Sequence, residues 1–238
     1  MKLLLALAFA LLPVHAFAQQ ASPKPVKKTA AASSAAPETD KRDAGKHDAE
    51  EADLEQALAE AGGSPVEYAR ALERHLAKYP NTQRRAEIER VLVQSAIEAK
   101  DKRRLLLFGV PLVEAGNRNL TTLDHVGRAL LDSTKTEDQQ RALKYARILE
   151  EELNKSLVFL NDPSAEPVNR GRRLSEAEKA LCRAYAFQAR AQGNLGEVKQ
   201  AVELASKAWA LYPSDEAGRE LARWLERDGD LKGAVNAL

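Results

Sequence analysis

Residues 196–213 read GEVKQAVELASKAWALYP. Ala201, Ala205 and Ala208 follow one another at steps of four and three, so on a helix they form a single stripe. A stripe of methyl side chains lets a neighbouring backbone come close, and alanine has the strongest helix propensity of any residue. Gly196 opens the unit, as a tight turn into a helix requires. Pro213 closes it, because proline cannot continue a helix. The residues before Gly196 carry helical periodicity back to Ser175, so the segment reads as the second helix of an antiparallel hairpin.

The frame recurs on both sides. Gly63 and Pro80 stand seventeen apart, as do Gly196 and Pro213, and both prolines follow a tyrosine, Tyr79 and Tyr212. Between the first pair, Tyr68, Leu72 and His75 occupy the stripe. Ala142, Ala146 and Leu149 repeat it, Phe108, Leu112 and Ala115 repeat it 34 residues earlier, and Gly229, Ala234 and Leu238 lie 33 residues after the best copy. From Ala142 to Ala201 is 59 residues, which calls for an insertion. It is placed at 157–173, where Asn161-Asp162-Pro163 breaks the periodicity and Asn169-Arg170-Gly171 loops out.

This spacing resembles the tetratricopeptide motif, in which a glycine at the hairpin turn and small residues on the second helix let adjacent helices pack closely. The resemblance covers residues 49–238. Tyr185 and Ala189 fit the family's first-helix positions, whereas Gln192 stands where an aromatic is usual. It implies an all-α protein, an α-solenoid of about five antiparallel helical hairpins, with the first helix of each lining a groove that binds a protein or peptide.

Ten helices are predicted, over 50–61, 65–78, 83–99, 101–115, 121–133, 137–158, 175–192, 196–211, 215–227 and from 230 onward. Ser64, Thr121, Thr136 and Ser175 each precede an acid or amide by three residues, the capping pattern of a helix start. Gly62-Gly63, Pro80, Gly116, Gly193, Pro213 and Gly229 supply the stops. Arg104 to Val113, RLLLFGVPLV, reads as a helix kinked near Gly109 and Pro111. The last hairpin is truncated, since its second helix begins at Asp230 and reaches only Leu238. An array buries each hairpin against the next, so this end is expected to continue into further sequence or to be covered by another molecule.

Composition agrees with helices. Aromatic residues are 5% and charged residues 30% of the chain, an Ala- and Leu-dominated mixture with too few β-branched and aromatic side chains for a sheet. The N-terminus has the form of a secretory signal: Lys2, an unbroken apolar run from Leu3 to Leu12, Pro13, and the small-x-small site Ala16-Phe17-Ala18. Ten residues of helix span only ~15 Å, about half a hydrocarbon core, so no stable membrane anchor is expected. The expectation is a signal peptide at 1–18, cleaved after Ala18, and a periplasmic or secreted product beginning at Gln19. A disordered Ala-, Pro- and Lys-rich linker over 19–48 follows. Without Lys2 the chain has 36 − 1 = 35 basic residues against 35 acidic ones, which gives nucleic acid no electrostatic footing.

The search for chemistry yields no catalytic, cofactor or metal constellation, and no enzymatic activity is expected of the chain as it stands. His47, His75 and His125 lack ligand spacing, the single Cys182 reads as a small buried residue, and Gly193-Asn194-Leu195-Gly196 lacks the lysine of a phosphate loop. The candidate site is a set of arginines on two first helices, Arg183 and Arg190 seven apart, and Arg219 and Arg223 four apart. Guanidinium groups grip carboxylates in two-pronged fashion, so the arginines point to an acidic or carboxylate-bearing partner. The competing reading is that Glu216, Glu220 and Glu226 neutralise them. A second functional reading makes the chain the N-terminal helical region of a longer exported thiol-disulfide oxidoreductase, whose thioredoxin-like domain is not in this sequence.

Overall fold

The computed structural model describes residues 39–162, 164 and 169–238, with side chains from Asp48 onward. The expected signal peptide and most of the expected linker lie outside the described residues. Ten α-helices follow in order: α1 (Thr39–Ala61), α2 (Pro65–Lys78), α3 (Arg85–Glu98), α4 (Lys102–Glu114), α5 (Leu120–Leu131), α6 (Thr136–Asn161), α7 (Arg170–Asn194), α8 (Val198–Leu211), α9 (Asp215–Asp228) and α10 (Leu231–Asn236). Consecutive helices from α2 to α10 pack on one another, and α3 on α5, α5 on α7 and α7 on α9 also touch. This is an all-α solenoid of hairpins whose first helices stand side by side, and no strand occurs among the described residues.

Most of the stripe positions that set the expectation are buried, but Tyr68 and Phe108 are only half-buried and Ala115 is exposed. Ala201, Ala205 and Ala208 are fully buried, as are Ala142 and Ala146. Leu149, Leu112, Leu72 and His75 are buried at the equivalent positions. The long middle core joins α3 to α7 through Val93, Leu112, Leu123, Val126, Tyr145, Leu153 and Phe187. At the N-terminal end α1 contributes Leu54 to a cluster with Leu72, Leu76, Ile88 and Leu92. Alanine stripes alone leave the sliding register of two helices weakly defined, and ion pairs between second helices help to fix it. Arg104 Nε of α4 lies 2.7 Å from Glu73 Oε1 of α2, and Lys144 Nζ of α6 lies 2.6 Å from Glu114 Oε2 of α4.

Several glycines are set by close approach and not by turns, Gly218 against the Ala237 carbonyl among them. A Cβ on Gly109 would lie 2.4 Å from Val126 Cγ2, one on Gly127 2.7 Å from Phe187 Cε2, and one on Gly193 2.2 Å from the Trp224 ring. Gly196, by contrast, has φ +95°, the left-handed turn of the α7–α8 hairpin.

Several boundaries differ from the sequence reading. α1 begins at Thr39, inside the stretch expected as linker. α5 is capped by Asn119, whose side chain accepts from the Thr122 N–H at 3.0 Å, and not by Thr121. Asparagine is the stronger cap, which places the helix start one residue earlier. Ser175 is interior to α7, which begins five residues before it at Arg170. With α6 reaching Asn161, the expected insertion narrows from both sides. α4 runs unbroken through Gly109 and Pro111, and Gly109 serves the contact with Val126. In the last hairpin Ala237 is buried where the stripe predicts Leu238, and Leu238 is 84% exposed.

Candidate partner-binding face

Arg128 Nη1 of α5 lies 3.0 Å from Glu216 Oε1 of α9, reaching across α7, while its guanidinium sits over the Phe187 ring of α7 at 5.3 Å. Asp124 holds the same guanidinium through Nε at 3.2 Å. These two carboxylates raise the Arg128 pKa against the opposing effect of burial. Nothing local in the sequence singles out Arg128, because its partner lies 88 residues away.

The four arginines of the sequence reading fall into different surroundings. Arg190 and Arg223 are brought together by Glu220, a carboxylate only 1% exposed. Arg190 donates to Glu220 Oε2 through Nε at 3.1 Å and Nη2 at 2.5 Å, and Arg223 Nη1 lies 3.3 Å from the same oxygen. The indole N–H of the buried Trp224 donates to Glu220 Oε1 at 2.8 Å. A buried carboxylate needs such partners, since an unpaired one costs several kcal/mol. This knot ties α7 to α9, and the neutralising glutamate of the competing sequence reading is real for these two residues. Glu216 serves Arg128 instead.

Arg183 and Arg219 are exposed, and among the described residues neither has an ion-pair partner. Arg183 lies on α7. Arg219 lies on α9 and lines a cleft of about 440 Å³ that also involves Trp209, Asp215, Gly218 and Leu238. The structure therefore separates the set: Arg190 and Arg223 are held by the buried Glu220 although their own side chains reach solvent, and Arg183 and Arg219 are exposed on successive first helices without an ion pair.

Cys182 is buried on α7, and its thiol donates to the Tyr212 carbonyl at 3.4 Å. Burial pushes the thiol pKa up. His75 is buried with its Nε2 3.3 Å from Glu50 Oε1 and its ring 4.8 Å from Tyr79, while His125 is half-buried on α5. No group of three or more potential metal ligands occurs among the described residues, and no described helix is long and apolar enough to cross a membrane.

No family model matches the sequence, and no curated protein matches it. Among solved structures the chain is similar to a MamA RS-1 ArsTM double mutant at 16% identity and a TM-score of 0.48, over 81% of this chain and 90% of that one. It is also similar to a thermophilic TPR protein of Thermus thermophilus, at 19% identity and 0.38 over 79% and 87% of the two chains. A tetratricopeptide repeat protein from Parabacteroides merdae gives 14% and 0.36 over 78% and 77%. The hairpins and their stacking define the fold by themselves.

Proposed function

We propose that this chain is an exported interaction scaffold that holds a carboxylate-bearing segment of a protein or peptide against α7 and α9. The observation that supports this reading most directly is the contrast among its arginines. Arg128, Arg190 and Arg223 are matched by acids of the fold, whereas Arg183 and Arg219 are exposed and unmatched on adjacent first helices. A guanidinium left without an internal acid is ready for an external one, and charge-assisted pairs are the strong hydrogen bonds. Export is supported by the signal pattern at 1–18, and a secreted product of intact mass beginning at Gln19 is its test.

The binding test is fluorescence anisotropy with a labelled glutamate-rich peptide. Arg183→Glu with Arg219→Glu should weaken binding by at least about tenfold, the equivalent of ~1.4 kcal/mol. Lys199→Glu, an exposed position on the second helix α8, should leave it unchanged. Equal affinity in all three proteins, or an equal loss in the α8 control, would sink the proposal.

A further inference from the structure

α1 is unlike the helices it rests on. Residues 48–61 carry six acids and no base, and their only large apolar side chains are Leu54 and Leu58. Leu54 is 2% exposed in a cluster with Leu72, Leu76, Ile88 and Leu92, and Leu58 is partly buried against the same cluster. Glu50, Asp53, Leu54 and Leu58 are related by steps of three and four, so acids and leucines share one face of the helix. Acids ordinarily take the solvent side of a helix. Here they line the seam.

The surface beneath meets them with cations. Lys78 Nζ of α2 lies 2.7 Å from Asp53 Oδ1, and Arg84 Nη1, at the start of α3, lies 2.8 Å from Glu51 Oε1. All four side chains reach solvent, and Arg84 is shared with Glu87 at 3.1 Å. One turn before Lys78, His75 is 3% exposed with its Nε2 3.3 Å from Glu50 Oε1, yet neither ring nitrogen makes a hydrogen bond among the described residues. A buried polar group left in that state marks a seat its occupant fills incompletely. Gly62 and Gly63 join α1 to α2; Gly62 has φ +56°, and a Cβ on either glycine would meet nothing within 4 Å. Nothing packs that joint. α2 starts without help from α1, since Ser64 caps it and Pro65 takes its first position.

We propose that the α2–α3 face bearing Leu72, Leu76, His75, Lys78 and Arg84 is a docking site for an acidic amphipathic helix of another protein, and that α1 is its displaceable internal occupant. The resident helix defines the ligand: two leucines four apart, with acids one, three and four residues ahead of the first. A helix laid in a groove is read through anchors at such steps. α1 holds the seat with one fully buried large side chain and two exposed ion pairs, each worth up to about fivefold in an equilibrium. An incoming helix meets only the fraction of molecules whose seat is vacant, so α1 lowers its apparent affinity by that fraction. A ligand that hydrogen-bonds His75 fits better than α1 does. This face lies at the other end of the array from Arg183 and Arg219 and stands independently of them.

The experiment is fluorescence anisotropy of the full chain with a labelled peptide of the sequence 48–61 and with a scrambled peptide of the same composition. The ordered peptide should bind weakly and the scrambled one should not bind. Loosening the resident by Leu54→Ala should tighten the ordered peptide at least about tenfold, because a buried leucine holds α1 in place. Glu51→Gln with Asp53→Asn, which leaves the apolar cluster intact, should tighten it too. In the Leu54→Ala background, raised salt or Lys78→Glu with Arg84→Glu should weaken binding, the double reversal by about tenfold, while Arg183→Glu with Arg219→Glu should leave it unchanged. No gain in either α1 variant would make α1 a fixed helix of its hairpin and overturn the proposal. Equal binding of the two peptides, or loss of binding in the Arg183→Glu and Arg219→Glu protein, would assign the peptide to charge alone or to the α7–α9 face and refute it. A two-chain mass by light scattering that disappears with Leu54→Ala would make the occupant the α1 of a second copy, and would also refute it.

Discussion

Replacing Gly193 with alanine should destabilise the protein, although the same change elsewhere on the same helix should stabilise it. Glycine to alanine in a helix interior ordinarily gains ~0.5–1 kcal/mol. At Gly193 the added methyl would lie 2.2 Å from both Cη2 and Cζ3 of Trp224 and 2.5 Å from Cζ2. The ring cannot simply move aside, because Trp224 is fully buried and its indole N–H is bonded to Glu220. Shifting it strains the core by ~1–3 kcal/mol and loosens a buried carboxylate, a further ~1–3 kcal/mol. Net destabilisation of about 1–5 kcal/mol follows after the helical gain is subtracted. Gly171 provides the contrast, since an added Cβ there meets nothing within 4 Å and its φ is not positive. Urea unfolding followed by circular dichroism measures both: Gly193→Ala should lower the midpoint and Gly171→Ala should hold or raise it. In a Trp224→Leu background the Gly193→Ala cost should largely vanish, which a double-mutant cycle reads directly. A Gly193→Ala midpoint equal to that of Gly171→Ala would refute the argument that ring contact, not turn geometry, demands this glycine.

Two other outcomes are expected. Lys144 and then Tyr145 hold the Glu114 carboxyl below its ordinary value of 4.5, so its contribution is fully present above that value and is lost as pH falls below it. Glu114→Gln should flatten this acid limb of a stability–pH curve by less than about 1 kcal/mol, because the carboxylate is 40% exposed, and an unchanged limb would argue against the pairing. Cys182, whose thiol is raised above its ordinary 9.0 by burial, should resist an aromatic disulfide reagent in the native protein and react on unfolding. Because the folded thiol ionises later than the unfolded one, stability should fall as pH rises past about 9, and rapid native labelling would contradict the burial.

The repeat was legible because it is written in residues whose effect is local. Ala201, Ala205 and Ala208 declare a closely packed face at any position in any helix, and Gly196 and Pro213 bound it without reference to the rest of the chain. Errors gathered where the competing signals were also local but of similar strength. Thr121 and Asn119 both offer a side-chain oxygen to the same first turn, and Ser175-Glu176-Ala177-Glu178 has a capping pattern inside α7. Gly109 reads as a weak point in a helix, since sequence shows only the missing side chain and not the Val126 methyl that needs the space.

The candidate face was legible only in composition. Four arginines on two first helices could be found from spacing, but their availability depends on acids brought in by the fold. Glu220 is one possible neutraliser on sequence grounds, yet its burial beneath Trp224 and its simultaneous hold on Arg190 and Arg223 require α7 and α9 to be in contact. Arg128 shows the same dependence over a longer range, since its meeting with Glu216 requires the fold to bring α5 and α9 to either side of α7. In a chain whose charges nearly cancel, 36 basic against 35 acidic, a count of arginines therefore carries little about binding. Within the set of four, Arg183 and Arg219 differ from Arg190 and Arg223 in having no ion pair among the described residues. Reversing a matched arginine and reversing an unmatched one should consequently differ in kind: Arg190→Glu sets a second carboxylate against the buried Glu220 and should lower stability, whereas Arg183→Glu should leave the unfolding midpoint unchanged and alter only what the surface holds.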